Sequence, residues 1–147
     1  DSLLPLWKLY SLGSALAEAL NRKVWLPSGG FLVIEQTEAF AAIDVNTGKC
    51  LTGKNPEETF RRINLEAARE IARQLRLRNL SGMILIDFIN MKDPSWEEEL
   101  FQAFSGYLYR DPVKCKAVDI TALHILEMTR RKVRRSLAEE IQNIRDN

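Results

Sequence analysis

The sequence predicts an α/β or α+β domain in which helices pack on a layered, mixed β-sheet. Three observations predict it. Short apolar runs rich in Ile and Val alternate with longer segments whose apolar residues recur every three or four positions. Residues typical of helix starts, such as Asn55-Pro56, separate the two kinds of segment. Two apolar runs each carry one aspartate, Asp44 or Asp87, at or near their end.

Length and composition limit the possible classes of protein. The chain has 147 residues, of which 46% are hydrophobic and 28% charged, so disordered and fibrous classes are excluded. We expect 1–147 to be one domain, with 137–147 as a tail or linker helix. No apolar stretch approaches the roughly 20 residues of a transmembrane segment. The net charge of +1 gives no global attraction to nucleic acid, so any such attraction needs local clusters.

Other site classes are limited by residue counts. Cys50 and Cys115 belong to no Cys-x-x-Cys motif, so no zinc site of that type is expected. Two free thiols in a reducing cytoplasm are favoured over one disulfide. The single histidine, His124, lies in an apolar stretch, and a structural role is favoured over a catalytic one. The first seven residues lack a signal-peptide pattern. They also lack an initiator Met, so we expect a fragment of a longer protein, with processing of the start as the alternative.

The elements are predicted in order from periodicity and from turn residues. Strands are predicted at 24–26, 31–36, 40–45, 83–88, 115–120 and 125–129. Helices are predicted at 6–22, from 56 to 77 or 78, and at 96–109, the last capped by Ser95. The basic run at 130–135 is expected to open a final helix whose apolar stripe contains Val133, Leu137, Ile141 and Ile144. Gly29-Gly30 is interpreted as a plain turn rather than a phosphate-cradling loop, because no Lys-Ser/Thr pair follows.

The helix predicted at 56–78 has two distinct faces. Its core stripe consists of Phe60, Ile63, Ala67, Ile71 and Leu75. Another face carries four arginines at helical period, namely Arg62, Arg69, Arg73 and Arg76. Periodicity favours a solvated face paired with Glu66 and Glu70. The alternative is a strip that contacts phosphates.

The two strand aspartates are the candidate site. A carboxylate at the end of a buried strand is costly unless its charge is compensated. Asp44 with Asn46, and Asp87, offer hard oxygen ligands, which favour Mg²⁺ or Mn²⁺ over zinc. Such a metal commonly engages a phosphate group. The residues alone leave open the alternative that the aspartates cap loops or pair with arginines.

Several blocks of the sequence resemble the ribonuclease E/G family. They occur in the family's order over roughly residues 6 to 137, which makes the resemblance more specific than any single motif. The blocks are Val24-Trp25-Leu26-Pro27-Ser28-Gly29-Gly30, Ile34-Glu35-Gln36-Thr37-Glu38-Ala39, Ala42-Ile43-Asp44-Val45-Asn46-Thr47-Gly48, Asn64-Leu65-Glu66-Ala67-Ala68, Ile71-Ala72-Arg73-Gln74-Leu75-Arg76-Leu77-Arg78, Ile86-Asp87-Phe88-Ile89 and Leu126-Glu127-Met128-Thr129-Arg130-Arg131-Lys132.

The resemblance implies the catalytic deoxyribonuclease-I-like subdomain of an endoribonuclease from the bacterial cytoplasm or a plastid. It implies that Asp44 and Asp87 hold one Mg²⁺, with Mn²⁺ as the alternative, and that Asn46 orients a metal-site carboxylate. It further implies attack of a metal-activated water on single-stranded RNA, leaving a 5′-phosphate and a 3′-hydroxyl. RNA contacts by Arg69, Arg73 and Arg76 become more plausible. DNA is not expected as a substrate, and the parent protein is expected to be a homo-oligomer.

The chain departs from the family pattern at two positions. Asn90 stands where an aspartate is usual, and His124 stands where a glycine is common. The family's OB-fold, its 5′-phosphate sensor, its ribonuclease-H-like part and its cysteine pair lie outside this chain. We therefore expect a fragment that is weakly active or inactive. The alternative hypothesis is a non-catalytic RNA-binding or scaffold module of the same fold.

Overall fold

The computed structural model describes residues 17, 20–50, 55–133 and 135–147. The helix predicted at 6–22 therefore lies mostly outside the described residues. The described strands are β1 (Lys23–Trp25), β2 (Phe31–Gln36), β3 (Phe40–Asn46), β4 (Gly82–Asp87), β5 (Cys115–Ile120) and β6 (Ile125–Arg130). The helices that we number are α1 (Pro56–Arg78), α2 (Pro94–Tyr109) and α3 (Leu137–Asp146). Each of these strands lies within two residues of its predicted range.

The six strands form one mixed sheet in the order β1-β2-β3-β4-β6-β5. β3 and β4 are parallel and are connected through α1, whereas the other neighbouring pairs are antiparallel. A parallel pair requires such a long crossover, because a tight turn can only join antiparallel strands. The predicted α/β class with a mixed sheet is confirmed.

Both long helices pack on one face of the sheet. Alternate residues of the strands are buried, and they form one core with the apolar stripe of α1 and with part of α2. The sheet side of this core includes Leu32, Ile34, Ile43, Val45, Ile84, Ile86, Leu126 and Met128. The helical side includes Ile63, Ala67, Ile71, Leu75, Leu100, Phe104 and Leu108. Burial of this apolar surface is the main stabilising contribution to the fold.

The opposite side of the sheet, which we call the open face, carries the intervening residues of the same strands. Its residues include Lys23, Trp25, Phe31, Val33, Glu35, Ala42, Asp44, Asn46, Leu85, Asp87, Ile125 and Glu127, all exposed or half-buried. No helix among the described residues covers the open face with buried side chains. Within the same ranges, no helix has the length and apolarity to cross a bilayer.

Several local predictions were wrong at helix ends. Asp93, not Ser95, caps α2, and its carboxylate accepts a hydrogen bond from the Ser95 backbone N–H at 2.9 Å. Pro94 then takes the first helical turn, where its missing N–H has no consequence. Asn55 does precede α1 as predicted, but its side chain makes no capping hydrogen bond.

The basic run does not open the last helix. Arg130 is the final residue of β6 and is 3% exposed, because it continues the inward alternation of that strand. α3 begins only at Leu137, where the Ser136 side chain accepts a hydrogen bond from the Glu139 backbone N–H. Val133 lies outside α3 and is 62% exposed, so it belongs to no helical stripe. α3 itself has no buried residue.

Candidate metal centre

Asp44 and Asp87 lie directly opposite each other on the two parallel strands. Asp44 is the fifth residue of β3, Asp87 is the last residue of β4, and the two are paired in the strand register. Neighbouring strands in a sheet are about 4.8 Å apart, so the carboxylates project side by side. Both residues are exposed on the open face. The parallel pairing of β3 and β4 thus brings the two candidate site residues together on one face of the sheet.

The electrostatics of the pair favour a bound cation. Partial burial raises the pKa of the Asp87 carboxyl, and the nearby negative charge of Asp44 raises it further. Both effects penalise the ionised form of Asp87. A positive charge between the two carboxylates would offset the repulsion and so favour the ionised form of Asp87.

Asn46 belongs to the same small cluster. It lies two residues after Asp44 on β3 and therefore on the same face, and its Nδ2 donates to the Asp44 Oδ2 at 3.4 Å. The turn before β2 packs against the end of β3 at Asn46. A Cβ on Gly30 would lie 2.8 Å from the Asn46 carbonyl oxygen, so glycine is required for the turn to approach β3 this closely.

An open hollow with a volume of ≈ 430 Å³ surrounds the two aspartates. Its lining combines the carboxylates with apolar side chains of the open face. The lining residues are Arg22, Val33, Glu35, Ala42, Ile43, Asp44, Asn46, Leu85, Asp87 and Ile125. The hollow is wide enough for a phosphate group and its solvent.

The donor set fits a hard divalent cation that keeps several water ligands. The described residues contain no group of three or more His, Cys, Asp or Glu side chains arranged for a metal. A site with two carboxylates and one amide instead suits Mg²⁺, which is usually held by one or two carboxylates together with waters and substrate phosphates. The same set of oxygens, without thiolate or imidazole, disfavours zinc.

The arginines of α1 lie on the helical layer, whereas the two aspartates lie on the open face of the sheet. Arg73 pairs with Glu70 at 2.8 Å, as the solvated interpretation expected. Glu66 instead accepts hydrogen bonds from Ser28. Arg69 and Arg76 line a second cleft of ≈ 690 Å³ together with Arg110 from the end of α2. Among the described residues, these three arginines form no ion pair.

The two departures from the family pattern share a different, small hollow. Asn90 and His124 line it with Glu97, and the His124 Nδ1 lies 3.1 Å from the Glu97 Oε2. His124 has a φ of 61°, a left-handed conformation that is costly for any residue except glycine. Neither residue lines the hollow around Asp44 and Asp87.

The sequence-based reasoning missed an aromatic and basic group beside the aspartates. Trp25 and Phe31 are in contact on the open face, with ring centroids 5.3 Å apart, and the Lys23 Nζ lies 4.1 Å from each centroid. The available signal was the Lys-x-Trp spacing in β1, which places both side chains on one face of a strand.

The fold and the paired aspartates define a class: an α/β domain with two facing carboxylates on one face of its sheet. Comparisons with known proteins give the family of the chain. The model of the "Ribonuclease E/G family" matches residues 1–133. The chain is 40% identical to ribonuclease G of Escherichia coli K12 over 139 residues, 95% of the chain and 28% of that protein. It is 42% identical to ribonuclease G of Haemophilus influenzae over 133 residues, 90% of the chain and 27% of that protein.

A further relative is ribonuclease E of Nostoc sp. PCC 7120, which is 38% identical over 135 residues, 92% of the chain and 20% of that protein. The chain belongs to the ribonuclease E/G family. It spans less than a third of the length of each of these relatives.

Proposed function

We propose that this chain is the Mg²⁺-dependent catalytic subdomain of an endoribonuclease that hydrolyses single-stranded RNA. One observation carries the proposal: Asp44 and Asp87 face each other on the open face of a chain that belongs to the ribonuclease E/G family. In this proposal the parent protein is a homo-oligomer of the bacterial cytoplasm, and RNA rather than DNA is its substrate. Its role is RNA processing and decay.

Each residue of the centre has a defined task in the proposed reaction. Asp44 and Asp87 would hold the cation, and the Asn46 amide, which donates a hydrogen bond to the Asp44 carboxylate, would orient that carboxylate. When bound, the cation supplies positive charge at the phosphate and lowers the pKa of a water ligand. In this proposal an extended RNA strand would lie across the open hollow with one phosphate close to the two carboxylates.

The bond changes follow from water as the nucleophile. A water oxygen bonds to phosphorus while the bond from phosphorus to O3′ breaks; the attacking water releases one proton to solvent, and the O3′ atom takes up one proton. The proposed products therefore carry a 5′-phosphate and a 3′-hydroxyl. The ribose 2′-hydroxyl is not consumed, so no cyclic phosphate forms.

The cleft of Arg69, Arg76 and Arg110 is proposed as a second contact with the RNA backbone. Three guanidinium groups with no described acidic partner form a local cation cluster in a chain whose net charge is only +1. Arginine commonly binds phosphate oxygens with two N–H groups. Arg73 has a smaller part in this proposal, because Glu70 already neutralises it.

Cleavage of a fluorescent single-stranded RNA by the intact protein tests the catalytic assignment. Asp44→Asn with Asp87→Asn should lower the rate by about a thousandfold or more, since a catalytic metal contributes several kcal/mol. Asp146→Asn is the matched control, because it removes an exposed carboxylate from the end of α3. Unchanged cleavage by the double variant would refute the assignment of the metal ligands.

A stability measurement tests the metal without relying on activity. Mg²⁺ or Mn²⁺ at a hundred times its dissociation constant should stabilise the native state by about 2.7 kcal/mol. The double aspartate variant should show no such shift. A chain that binds RNA but shows neither the shift nor cleavage would instead be a non-catalytic RNA-binding module.

A further inference from the structure

Trp25 presents an aromatic ring to solvent beside the candidate metal centre. The residue is 62% exposed, although β1 holds it within the sheet. Phe31 supports the indole from the neighbouring strand, with an angle of 60° between the ring planes. An exposed Trp held by a second aromatic ring has little freedom to reorient. It therefore offers a flat ring at a low entropic cost of binding.

Lys23 adds a positive charge to the same group. Its ammonium lies over both rings, 4.1 Å from each centroid, and so it cannot fold away from them without losing two cation–π contacts. The ammonium covers part of the rings, and the indole surface that stays exposed complements, together with this cation, the two parts of a nucleotide. The base has a π-face that stacks on indole, and the phosphate is an anion.

The register of the sheet places this group next to the aspartates. Trp25 pairs with Phe31, Phe31 pairs with Asn46, and Asn46 lies two residues after Asp44. With strands about 4.8 Å apart and about 3.4 Å per residue, Trp25 lies about 12 Å from Asp44 along the open face.

The charges of the open face give the RNA a preferred direction. On the side of Asp44 and Asp87 away from Trp25, the next row of the sheet carries Glu35 and Glu127, and Asp119 follows on β5. Arg22 neutralises only Glu35. Phosphates are repelled by the remaining acids and attracted by Lys23. An RNA strand with one phosphate at the aspartates therefore extends from the metal centre across Trp25.

We propose that Trp25, supported by Phe31 and flanked by Lys23, is a base-stacking subsite that binds a nucleotide next to the scissile phosphate of single-stranded RNA. This inference rests on the proposed function, since it takes the aspartate pair as the point of cleavage. The subsite tolerates any base, because every base has a π-face. It contributes to substrate affinity rather than to the bond-breaking step.

The test compares RNA binding by three variants of the intact protein, measured without divalent cations by the anisotropy of a labelled oligoribonucleotide. Trp25→Ala should weaken binding about tenfold, and Trp25→Phe should recover most of the loss. Tyr109→Ala is the matched control, because Tyr109 is an aromatic residue with 91% exposure at the end of α2. It should bind as the wild type does.

A substrate series makes the stacking itself visible. Oligoribonucleotides with one abasic nucleotide, moved stepwise along the chain, should show one position where the missing base weakens binding to the wild type. Trp25→Ala should be insensitive to the abasic nucleotide at that position. Equal losses in both proteins, or unchanged binding by Trp25→Ala, would overturn the stacking subsite.

These outcomes separate the two proposals. Trp25-dependent binding without any cleavage would retain the stacking subsite and refute the nuclease centre. Cleavage that needs Asp44 and Asp87 but ignores Trp25 would retain the centre and refute the subsite. In steady state, Trp25→Ala should raise KM about tenfold and leave kcat near its wild-type value.

Discussion

Asp111 and Arg130 form a buried ion pair that joins three segments of the chain. The Arg130 Nε donates to the Asp111 Oδ2 at 3.0 Å, and the two side chains are only 3% and 1% exposed. Arg130 also donates to the Asn79 side chain and to the Leu80 carbonyl. The pair therefore ties the end of β6 to the loop before β4 and to the loop after α2.

Removal of one partner of this pair should strongly destabilise the fold. Arg130→Met keeps the length of the side chain but leaves the Asp111 carboxylate buried and unpaired, which costs about 3–5 kcal/mol. Arg131→Met is the control, because Arg131 is exposed. This substitution should change the free energy of unfolding by less than about 0.5 kcal/mol. Urea unfolding measures both, and equal midpoints for the two variants would contradict the importance of the pair.

The same pair predicts how stability depends on pH. Burial alone would raise the pKa of the Asp111 carboxyl, but hydrogen bonds from Arg130 and from the Val113 backbone outweigh it, so the pKa is lowered. A lowered folded-state pKa gives stability that is present above the unfolded pKa of about 3.9 and lost as the pH falls further. The stability difference between wild type and Asp111→Asn should be constant from about pH 5 to 8 and shrink below about pH 4. A difference unchanged at pH 2 would contradict the linkage.

Asn46 should matter for metal affinity although it need not touch the metal. Groups that orient a metal ligand typically change affinity by about 10–100-fold when they are removed. Asn46→Ala should therefore weaken Mn²⁺ binding by about tenfold, measured by electron paramagnetic resonance of the free ion. Thr47→Val is the control at the adjacent position. Equal Mn²⁺ affinities for Asn46→Ala and wild type would remove Asn46 from the centre.

His124 offers a clean measurement of backbone strain. His124→Gly and His124→Ala both lose the contact with Glu97, so their difference isolates the left-handed backbone. The glycine variant should be more stable than the alanine variant by about 1 kcal/mol. Thermal unfolding of the pair tests this, and an alanine variant of equal or higher stability would argue against the φ of 61° at this residue.

Cys115 should be an unreactive thiol in the native protein. Burial, followed by the charge of Asp111, raises its pKa to about 11. At pH 8 only about one thiol in a thousand is then ionised, and the thiolate is the form that iodoacetamide attacks. Mass spectrometry should find Cys115 unlabelled in the native protein and labelled in urea. Rapid native labelling of Cys115 would contradict the raised pKa.

Periodicity was sufficient to predict the strands and the two long helices. The runs at 31–36 and 115–120 match β2 and β5, because buried strands require unbroken apolar or alternating patterns. The aspartate pair also followed, since each apolar run carried its aspartate near its end. The metal, by contrast, stays a prediction, because paired carboxylates alone do not identify a cation.

Contacts between residues distant in sequence could not be predicted. Nothing local distinguishes Arg130 from Arg131, yet Arg130 is buried as the last residue of β6 and Arg131, which follows the strand, is exposed. The contact of Trp25 with Phe31 depends on the register of a hairpin, which a one-residue slip would abolish. Helix caps were misassigned because Asp93 and Ser95 are both good caps, and only the position of Pro94 decides between them.

The crossover from β3 through α1 to β4 determines the stage of folding at which the two carboxylates of the candidate centre come together. Asp44 and Asp87 come to lie side by side only after α1 has packed on the sheet and β3 has paired with β4. Pairing of parallel strands across a long connection is among the slower events in folding. The chain loses conformational entropy when the connection closes, before the contacts between the strands can offset that loss. Nascent or partly unfolded chains therefore lack a two-carboxylate centre, and the proposed nuclease would be silent until its fold is complete.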